Sequence, residues 1–202
     1  VMAMGAGQAS HAAYCNVNQN LCLPIPDAVS FADASYVALA LTSMQACRRL
    51  DYRFGESAII GGMGLVGQIC AQLLTIGGCK AVCLDGLKSR LEKAEENGAT
   101  LCVSSLEDAD AEAIRELTYG DGVDGAIICF GGDGTDTLKQ IYSLMVRPPD
   151  THTVGAIVVV GGCKFNGLQL AAAMGNVDIR SSARTGPGYK DADWERGAAY
   201  PQ

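Results

Sequence analysis

The sequence has little positive charge, only two histidines and no long apolar run. Its 202 residues include 15 lysines and arginines against 22 aspartates and glutamates, which gives a formal net charge of −7. An excess of acid offers a polyanion no electrostatic attraction, so we expect no nucleic-acid partner. No apolar stretch approaches the roughly 20 residues that a bilayer-spanning helix requires, so we expect no membrane partner and a cytoplasmic protein.

The nine cysteines include no C-x-x-C pair, the close spacing that is typical of structural zinc sites. Most of them lie in apolar runs such as Ala81-Val82-Cys83-Leu84. Thiols in such runs are expected to be small core residues of a protein from a reducing compartment. The sequence therefore predicts free, buried thiols, and it predicts neither a metal site nor a disulfide framework.

Short apolar strands alternate with amphipathic helices from Ser57 onwards, a pattern typical of parallel β-α-β units. A helix or helix pair is predicted before them, from the capping residue Ser30 to about Leu50. The pattern predicts an α/β fold with a doubly wound parallel sheet, the Rossmann fold. The predicted strands are 58–60, 81–84, 101–103, 125–129, 156–160 and 177–180, and the predicted helices that join them are 65–76, 89–97, 107–118 and 135–145.

One motif points to a ligand: Gly62-Met63-Gly64-Leu65-Val66-Gly67 is a G-x-G-x-x-G sequence between the first of these strands and its helix. Gly62 allows a tight turn, Gly64 lets a pyrophosphate approach the backbone, and Gly67 allows the helix to pack closely on the strand. The helix amino terminus adds N–H groups and partial positive charge. The amides of residues 63–66 are therefore expected to bind a diphosphate.

An acidic residue is expected about 20 residues later, at the end of the second strand, where it would bind the ribose hydroxyls of a dinucleotide. Asp85 occupies that position, and because its carboxylate would repel a 2′-phosphate, NAD is favoured over NADP. Lys88 and Arg90 just beyond it weaken that preference. Two other interpretations stay open, a purely structural glycine turn and a methyltransferase, whose sheet has a similar turn and acid.

Further segments of the chain form a recognisable series: Ser10–Tyr14, Leu23–Ser30, Leu41-Thr42, Phe54–Ser57, the glycine turn, Asn97–Thr100 and Gly120–Asp124. In these residues and their order, the chain resembles the medium-chain dehydrogenase/reductase family, often called zinc-type alcohol dehydrogenases, over about residues 10–200. The end of the chain, from residue 182 onwards, is similar to a subgroup related to threonine dehydrogenase.

The resemblance implies a domain organisation. Residues 1–29 would end a GroES-like β catalytic domain, 30–54 would form linking helices, 55–182 the dinucleotide-binding domain and 183–202 a return segment. Relatives continue beyond both ends, so we expect a fragment that is inactive alone. Relatives often pair through the last strand of the sheet, and an exposed edge at 177–182 would need a partner, so we expect a homodimer.

The resemblance also implies which residues contact the coenzyme. The glycine turn and the end of the second strand would contact the pyrophosphate and adenosine, whereas the linking helix and the loops after the fourth and fifth strands would contact the nicotinamide. The loop positions also follow a general rule, since ligands of such sheets bind beyond the carboxyl ends of the strands. The implied residues are Gly62, Gly64, Leu65, Val66 and Gly67; Asp85 and Arg90; Thr42; Cys129, Phe130 and Gly131; and Val160, Gly161 and Gly162.

Relatives with a catalytic zinc have Cys, Asp or Glu about four residues before the threonine of the linking helix, where this chain has Ala38. Zinc is therefore doubtful as a cofactor, and zinc-independent chemistry is favoured. The catalytic residues are unknown, because His11 falls on a candidate strand and His152 in a candidate loop. The polar tail at 194–196 would suit a surface loop better than a substrate cleft.

Two functions are consistent with these features. The first is an oxidoreductase that transfers a hydride between NAD(H) and a small alcohol or carbonyl substrate, with the coenzyme supplying the chemistry. The second is a non-catalytic dinucleotide-binding module or a degenerate subunit, which the short chain and Ala38 would suit.

Overall fold

The computed structural model describes residues 1–5, 7–149, 152–167 and 172–186. The chain divides into two compact units, one formed by Val1–Gln45 with Ala183–Gln202 and the other by Ala46–Ser182. Within the described ranges, no helix combines the length and the apolar character needed to cross a bilayer. The polar tail at 194–196 lies outside the described residues.

The smaller unit contains short elements and most of a longer helix. Its elements are β1 (Met2–Ala3), β2 (Cys22–Leu23), α1 (Phe31–Ala34) and α2 (Val37–Leu50), the last of which ends in the larger unit. β1 and β2 form an antiparallel pair. Ser30 caps α1, because its hydroxyl accepts the N–H of Asp33 at 3.0 Å. Two helices therefore occupy the segment in which the sequence predicts a helix or helix pair.

The strand expected around His11 is not formed. Residues 11–13 form a bend, and the side chain of His11 is exposed. The apolar residues of this segment are two alanines and Tyr14, whose side chain is 95% exposed. Because no apolar face is buried, nothing holds these residues in a sheet, and the prediction of a strand here was wrong.

The larger unit is built on six parallel strands joined by helices. In chain order its elements are β3 (Ser57–Gly61), α3 (Leu65–Ile76), β4 (Lys80–Leu84), α4 (Lys88–Glu96), β5 (Leu101–Val103), α5 (Asp108–Leu117), β6 (Gly125–Ile128), β7 (Gly132–Asp133), α6 (Thr135–Leu144), β8 (Val154–Val159), β9 (Cys163–Lys164) and β10 (Asn176–Ser181). The main sheet has the order β10-β8-β6-β3-β4-β5. The sheet extends from β3 in both directions, as in the Rossmann fold, so the predicted fold class is confirmed.

Helices cover both faces of this sheet. On one face, α3, α4 and the last residues of α2 pack against strand residues that include Ala58 and Ile60. On the other face, α5 and α6 pack against residues that include Ile59 and Ile128. Successive residues of a strand point to opposite faces, so a sheet covered twice needs strands that are apolar throughout. Every residue of β3 is accordingly buried.

Two central strands end one residue earlier than the sequence predicts. β6 ends at Ile128 and β8 at Val159, so Cys129 and Val160 begin the loops that follow. β7 and β9 form a separate parallel pair within these two loops. Strands of two residues have no periodicity, so no residue pattern predicts this pair.

All nine cysteines fall within the described residues and are free thiols. Four of them, at positions 47, 70, 79 and 83, are buried, and Cys15 is exposed. Burial raises the pKa of Cys79 to about 12. A thiol with that pKa is neutral at physiological pH, which agrees with the predicted core role for the four buried cysteines. For the exposed Cys15 that prediction was wrong.

Candidate functional site

A crevice opens at the carboxyl ends of the central strands. β3 and β6 are neighbours in the sheet, and the chain leaves them toward opposite edges. Doubly wound sheets bind ligands at this point, because the loops diverge there. A cavity of about 610 Å³ lies in the crevice. Its walls come from the turn after β3, the ends of β4 and β5, the loop after β6 and one side of α6.

The three motif glycines have different surroundings. Gly62 has a φ of +89°, and a Cβ there would lie 3.0 Å from the Cβ of Phe130. A Cβ on Gly67 would lie only 2.0 Å from the carbonyl oxygen of Gly62. At Gly64, by contrast, no described atom lies within 4 Å of the Cβ position, and this residue lines the cavity. The turn thus packs tightly on the protein side and leaves its backbone open on the cavity side.

The amino terminus of α3 is the positive end of a helix beside the cavity. Gly64 is its N-cap, with an extended backbone, and no described side chain caps the helix. The first bond of the helix runs from the N–H of Gln68 to the carbonyl of Gly64 at 2.9 Å. Amides of a first helical turn have no partner within the helix and carry partial positive charge. Leu65 and Val66 lie in that turn, as the sequence predicts.

Asp85 joins the end of β4 to the glycine turn. Its side chain is 8% exposed. Oδ2 accepts the N–H of Met63 at 2.8 Å and a bond from Nη1 of Arg90 at 3.2 Å. Oδ1 accepts the N–H of Leu87 at 2.9 Å. Because the amide of Met63 is used within the protein, it is not available to a diphosphate, and the prediction that residue 63 binds one was wrong.

The carboxylate of Asp85 is ionised at neutral pH. Burial by itself would raise its pKa, but hydrogen bonds from Leu87 and Met63 and the adjacent Arg90 guanidinium hold the pKa below its ordinary value. The other nearby cation in the sequence, Lys88, forms an ion pair with Glu92 at 3.3 Å, and its side chain is 90% exposed. The charge that faces the cavity from Asp85 is therefore negative, with one arginine paired to it.

The cavity also has walls that the sequence did not indicate. Ser104 and Ser105 follow β5, and Thr137 and Gln140 lie on α6. Nε2 of Gln140 donates to Oε1 of Glu107 at 2.6 Å, which links the two walls. The serines could have been found, because they directly follow a predicted strand. The residues of α6 carry no such signal, since their position depends on how the helix packs.

Asp110 holds the loop that follows β5. Its Oδ2 accepts the N–H groups of Ser104 and Ser105 at 3.1 and 2.9 Å. Partial burial would raise the pKa of Asp110, but these bonds and those from the two serine hydroxyls lower it below its ordinary value. A carboxyl with a pKa lowered by folding stabilises the protein above its unfolded pKa of about 3.9, and this contribution is lost as the pH falls through the folded pKa.

We therefore expect Asp110→Asn to lower the free energy of unfolding at pH 7 by about 1 kcal/mol. The difference in the free energy of unfolding from the unchanged chain should shrink as the pH falls below about 4, because protonation then makes the wild-type carboxyl neutral, as the amide is. Urea titrations at several pH values measure both effects. A difference that stays constant down to about pH 2 would show that the charge of Asp110 does not contribute.

The loops after β6 and β8 lie side by side. The N–H of Val160 donates to the carbonyl of Ile128 at 2.9 Å. A Cβ on Gly161 would lie 2.2 Å from the carbonyl oxygen of Phe130, so the two backbones are in direct contact. Gly131 and Gly162 are the next residues of the same two loops. The structure therefore brings together the two groups that the resemblance assigns to one end of the coenzyme.

Cys129 and Phe130 belong to the cavity wall. The hydrogen bond between Cys129 and the Cys70 thiol, together with burial, raises the pKa of Cys129 well above its ordinary value. A neutral thiol is a poor nucleophile, so Cys129 is expected to act as a wall residue and not as a catalytic one.

Thr42 and Ala38 both lie on α2 in the smaller unit. The hydroxyl of Thr42 donates to the carbonyl of Ala38 at 3.0 Å, a bond common for threonine within helices. Thr42 thus belongs to a different unit from the residues that line the crevice. No group of three or more His, Cys, Asp and Glu side chains suited to a metal ion occurs in the described part of the chain.

Comparison with known families gives one match over most of the crevice-bearing unit. Residues 66–198 match a family model described as zinc-binding dehydrogenase. The sorbitol dehydrogenase of Mus musculus is 28% identical over 172 residues, which cover 83% of this chain and 46% of that enzyme. The chain thus spans about half the length of the curated relatives it matches.

Solved structures share the architecture. The 2R,3R-butanediol dehydrogenase from Bacillus subtilis superposes with a TM-score of 0.70 at 22% identity, covering 86% of this chain and 48% of that one. The alcohol dehydrogenase from Aeropyrum pernix gives 0.68 at 21% identity, with coverages of 86% and 50%. At this level of identity, both structures support the fold described above.

Proposed function

This chain belongs to the zinc-binding dehydrogenase family, and we propose that it is the coenzyme-binding part of an NAD-dependent oxidoreductase. The resemblance to medium-chain dehydrogenases found in the sequence is thereby confirmed. When bound, the coenzyme would exchange a hydride with a small alcohol or carbonyl compound. The observation that supports this proposal best is the convergence of Gly64, the positive end of α3 and Asp85 on one cavity.

The residues of the glycine turn fit a diphosphate. A bound phosphate needs N–H donors and a backbone that it can approach closely. Gly64 offers open space where any other residue would place a Cβ, and it stands at the positive end of α3. We therefore assign the diphosphate to the amides of Gly64 and Leu65, and we include Val66 on the basis of the resemblance. Gly62 and Gly67 hold the shape of the turn and are assigned no bond to the diphosphate.

Asp85 fits the hydroxyls of a ribose. A carboxylate has about four acceptor positions, and the described bonds use one on Oδ1 and two on Oδ2. One position on Oδ1 thus stays available to a hydroxyl. A 2′-phosphate would instead meet a negative charge, and Arg90 is already paired with that charge. These features support NAD over NADP.

The two halves of the sheet would bind the two halves of the coenzyme. The adenosine half would lie over β4 and β5, where Arg90, Ser104 and Gln140 line the cavity. The nicotinamide half would lie beside the loops after β6 and β8, where Phe130 lines the cavity. Thr42 is proposed to reach the nicotinamide from α2, on the basis of the resemblance alone.

Relatives suggest the class of substrate and raise the question of zinc. They include sorbitol and butanediol dehydrogenases, which supports a small alcohol or the matching carbonyl compound. The described residues do not provide a cluster that fits zinc, so we propose no zinc ligand among them. A homodimer through the edge of β10 and a cytoplasmic location stay predictions of the sequence.

A titration of the chain with NADH and NADPH tests the proposal. We expect NADH to bind at least about tenfold more tightly than NADPH, a difference of about 1.4 kcal/mol. Gly64→Ala should weaken NADH binding at least about tenfold, because its methyl group would stand where the diphosphate approaches. Nicotinamide fluorescence measures binding, and thermal unfolding checks that the variant keeps its stability.

Lys88→Ala is the control, since this side chain is 90% exposed and paired with Glu92. It should leave NADH affinity within about twofold. Absence of NADH binding by the unchanged chain would sink the proposal. If NADH does bind, a test for alcohol turnover distinguishes an enzyme from a non-catalytic binding module.

A further inference from the structure

A small sheet joins the loops that follow β6 and β8. β7 pairs with β9 in parallel, with Gly132 opposite Cys163 and Asp133 opposite Lys164. The N–H of Gly134 donates to the carbonyl of Lys164 at 3.0 Å. A pair of two-residue strands makes few bonds and is not stable by itself. Other contacts must therefore hold these loops together.

A polar cluster of Asp133, Thr135 and Asn166 crosses the same junction. Oδ1 of Asp133 accepts the N–H of Thr135 at 2.9 Å and its hydroxyl at 2.6 Å. Oγ1 of Thr135 accepts the backbone N–H of Asn166 at 2.8 Å. Nδ2 of Asn166 donates to Oδ2 of Asp133 at 2.9 Å. Each of the three residues is thus bonded to the other two, and the bonds connect both loops.

The junction continues directly into the wall of the crevice. Phe130 lines the cavity and lies in the same loop as Asp133. Gly161 lies in the same loop as Asn166, and a Cβ on Gly161 would be 2.2 Å from the carbonyl oxygen of Phe130. A Cβ on Gly62 would be 3.0 Å from the Cβ of Phe130. A shift of either loop would therefore change the wall beside the proposed nicotinamide position.

We propose that Asp133, Thr135 and Asn166 are positioning residues for the nicotinamide half of the coenzyme. This inference rests on the proposed function, which assigns that half to the loops after β6 and β8. None of the three lines the described cavity, so they act through the loops and not by touching the coenzyme. Because the two loops are already joined before binding, the free-energy cost of ordering them when the nicotinamide ring binds is lower.

Thr135→Val tests this role, because valine keeps the size of threonine and removes the hydroxyl. The probes are NADH and ADP-ribose, which has the same diphosphate and adenosine but no nicotinamide. We expect NADH to bind about tenfold more weakly and ADP-ribose to stay within about twofold. Calorimetry measures both affinities. The fluorescence of bound NADH should also shift toward that of free NADH, since the ring is held less firmly.

Asp136→Asn is the matched control, because it changes a carboxylate in the same helical turn that is 88% exposed and paired only with Lys139 among the described residues. It should alter neither affinity by more than about twofold. Asn166→Ala removes one side-chain bond and keeps the backbone bond, so a smaller loss confined to NADH is expected. Because Asn166 is exposed, this variant still tests the proposed role if Thr135→Val fails to fold.

Two outcomes would overturn the inference: equal weakening of NADH and ADP-ribose, and unchanged NADH binding in both variants. Equal weakening would mean that the cluster supports the whole crevice. Failure of the unchanged chain to bind either NADH or ADP-ribose would instead overturn the proposed function, and the inference with it.

Discussion

Replacement of Gly67 by alanine is expected to destabilise this chain strongly. The new Cβ would stand 2.0 Å from the carbonyl oxygen of Gly62 and 3.0 Å from its carbonyl carbon. Both are backbone atoms of a turn fixed to β3, so they cannot rotate away as the end of a side chain would. Overpacking against fixed atoms costs about 3 kcal/mol. The midpoint of thermal unfolding should therefore fall by about 6–12 °C for a chain of this size.

Gly64→Ala is the matched control for this prediction, because it adds the same methyl group to the same turn where no described atom lies within 4 Å. Its unfolding midpoint should stay within about 2 °C of the unchanged chain. Thermal unfolding followed by circular dichroism compares the two variants. Equal midpoints for both would show that α3 can move away from the turn at little cost.

Replacement of Asp85 by asparagine is expected to abolish the preference for NADH over NADPH. The neutral amide has one acceptor oxygen, so the ribose hydroxyl loses its charged partner. Loss of such a bond corresponds to about tenfold to a hundredfold weaker NADH binding. Arg90 also loses its ion-pair partner and becomes available to a 2′-phosphate, so NADPH should lose less affinity or gain some. Parallel fluorescence titrations with both coenzymes measure the ratio.

Asp110→Asn controls for the structural part of that change. Like Asp85, Asp110 accepts two backbone N–H bonds, here from a loop that follows a strand. That strand is β5, the neighbour of β4 in the sheet. The substitution should reduce stability and leave the ratio of the two affinities unchanged. If it alters the ratio as much as Asp85→Asn does, general loosening of the crevice would explain the preference better than the charge at residue 85.

The elements that bear the site were predictable because local signals bound them. α3 extends over 65–76, as predicted, since Gly64 precedes its apolar run and Gly77-Gly78 ends it. Asp85 was identified by its distance from the glycine turn and its place after a buried strand. Both inferences need only neighbouring residues and the general geometry of a parallel sheet.

The contacts between loops were not predictable in the same way. The bond from Met63 to Asp85 depends on how the turn lies against β4, and no residue pattern reports that distance. The cluster of Asp133, Thr135 and Asn166 joins segments 31–33 residues apart. Their residue types are common in loops, so only the folded chain shows that they meet.

The main chain and the ring of Phe130 have different roles in the crevice. Gly62 and Gly161 meet Phe130 through its main chain and Cβ, and neither approach depends on the aromatic ring. The ring lines the cavity and packs on the apolar cluster under α5 and α6. Exchange of this one ring can therefore reshape what the crevice admits while the close approaches of Gly62 and Gly161 are kept, which leaves residue 130 as a place where new selectivity can arise on the same fold.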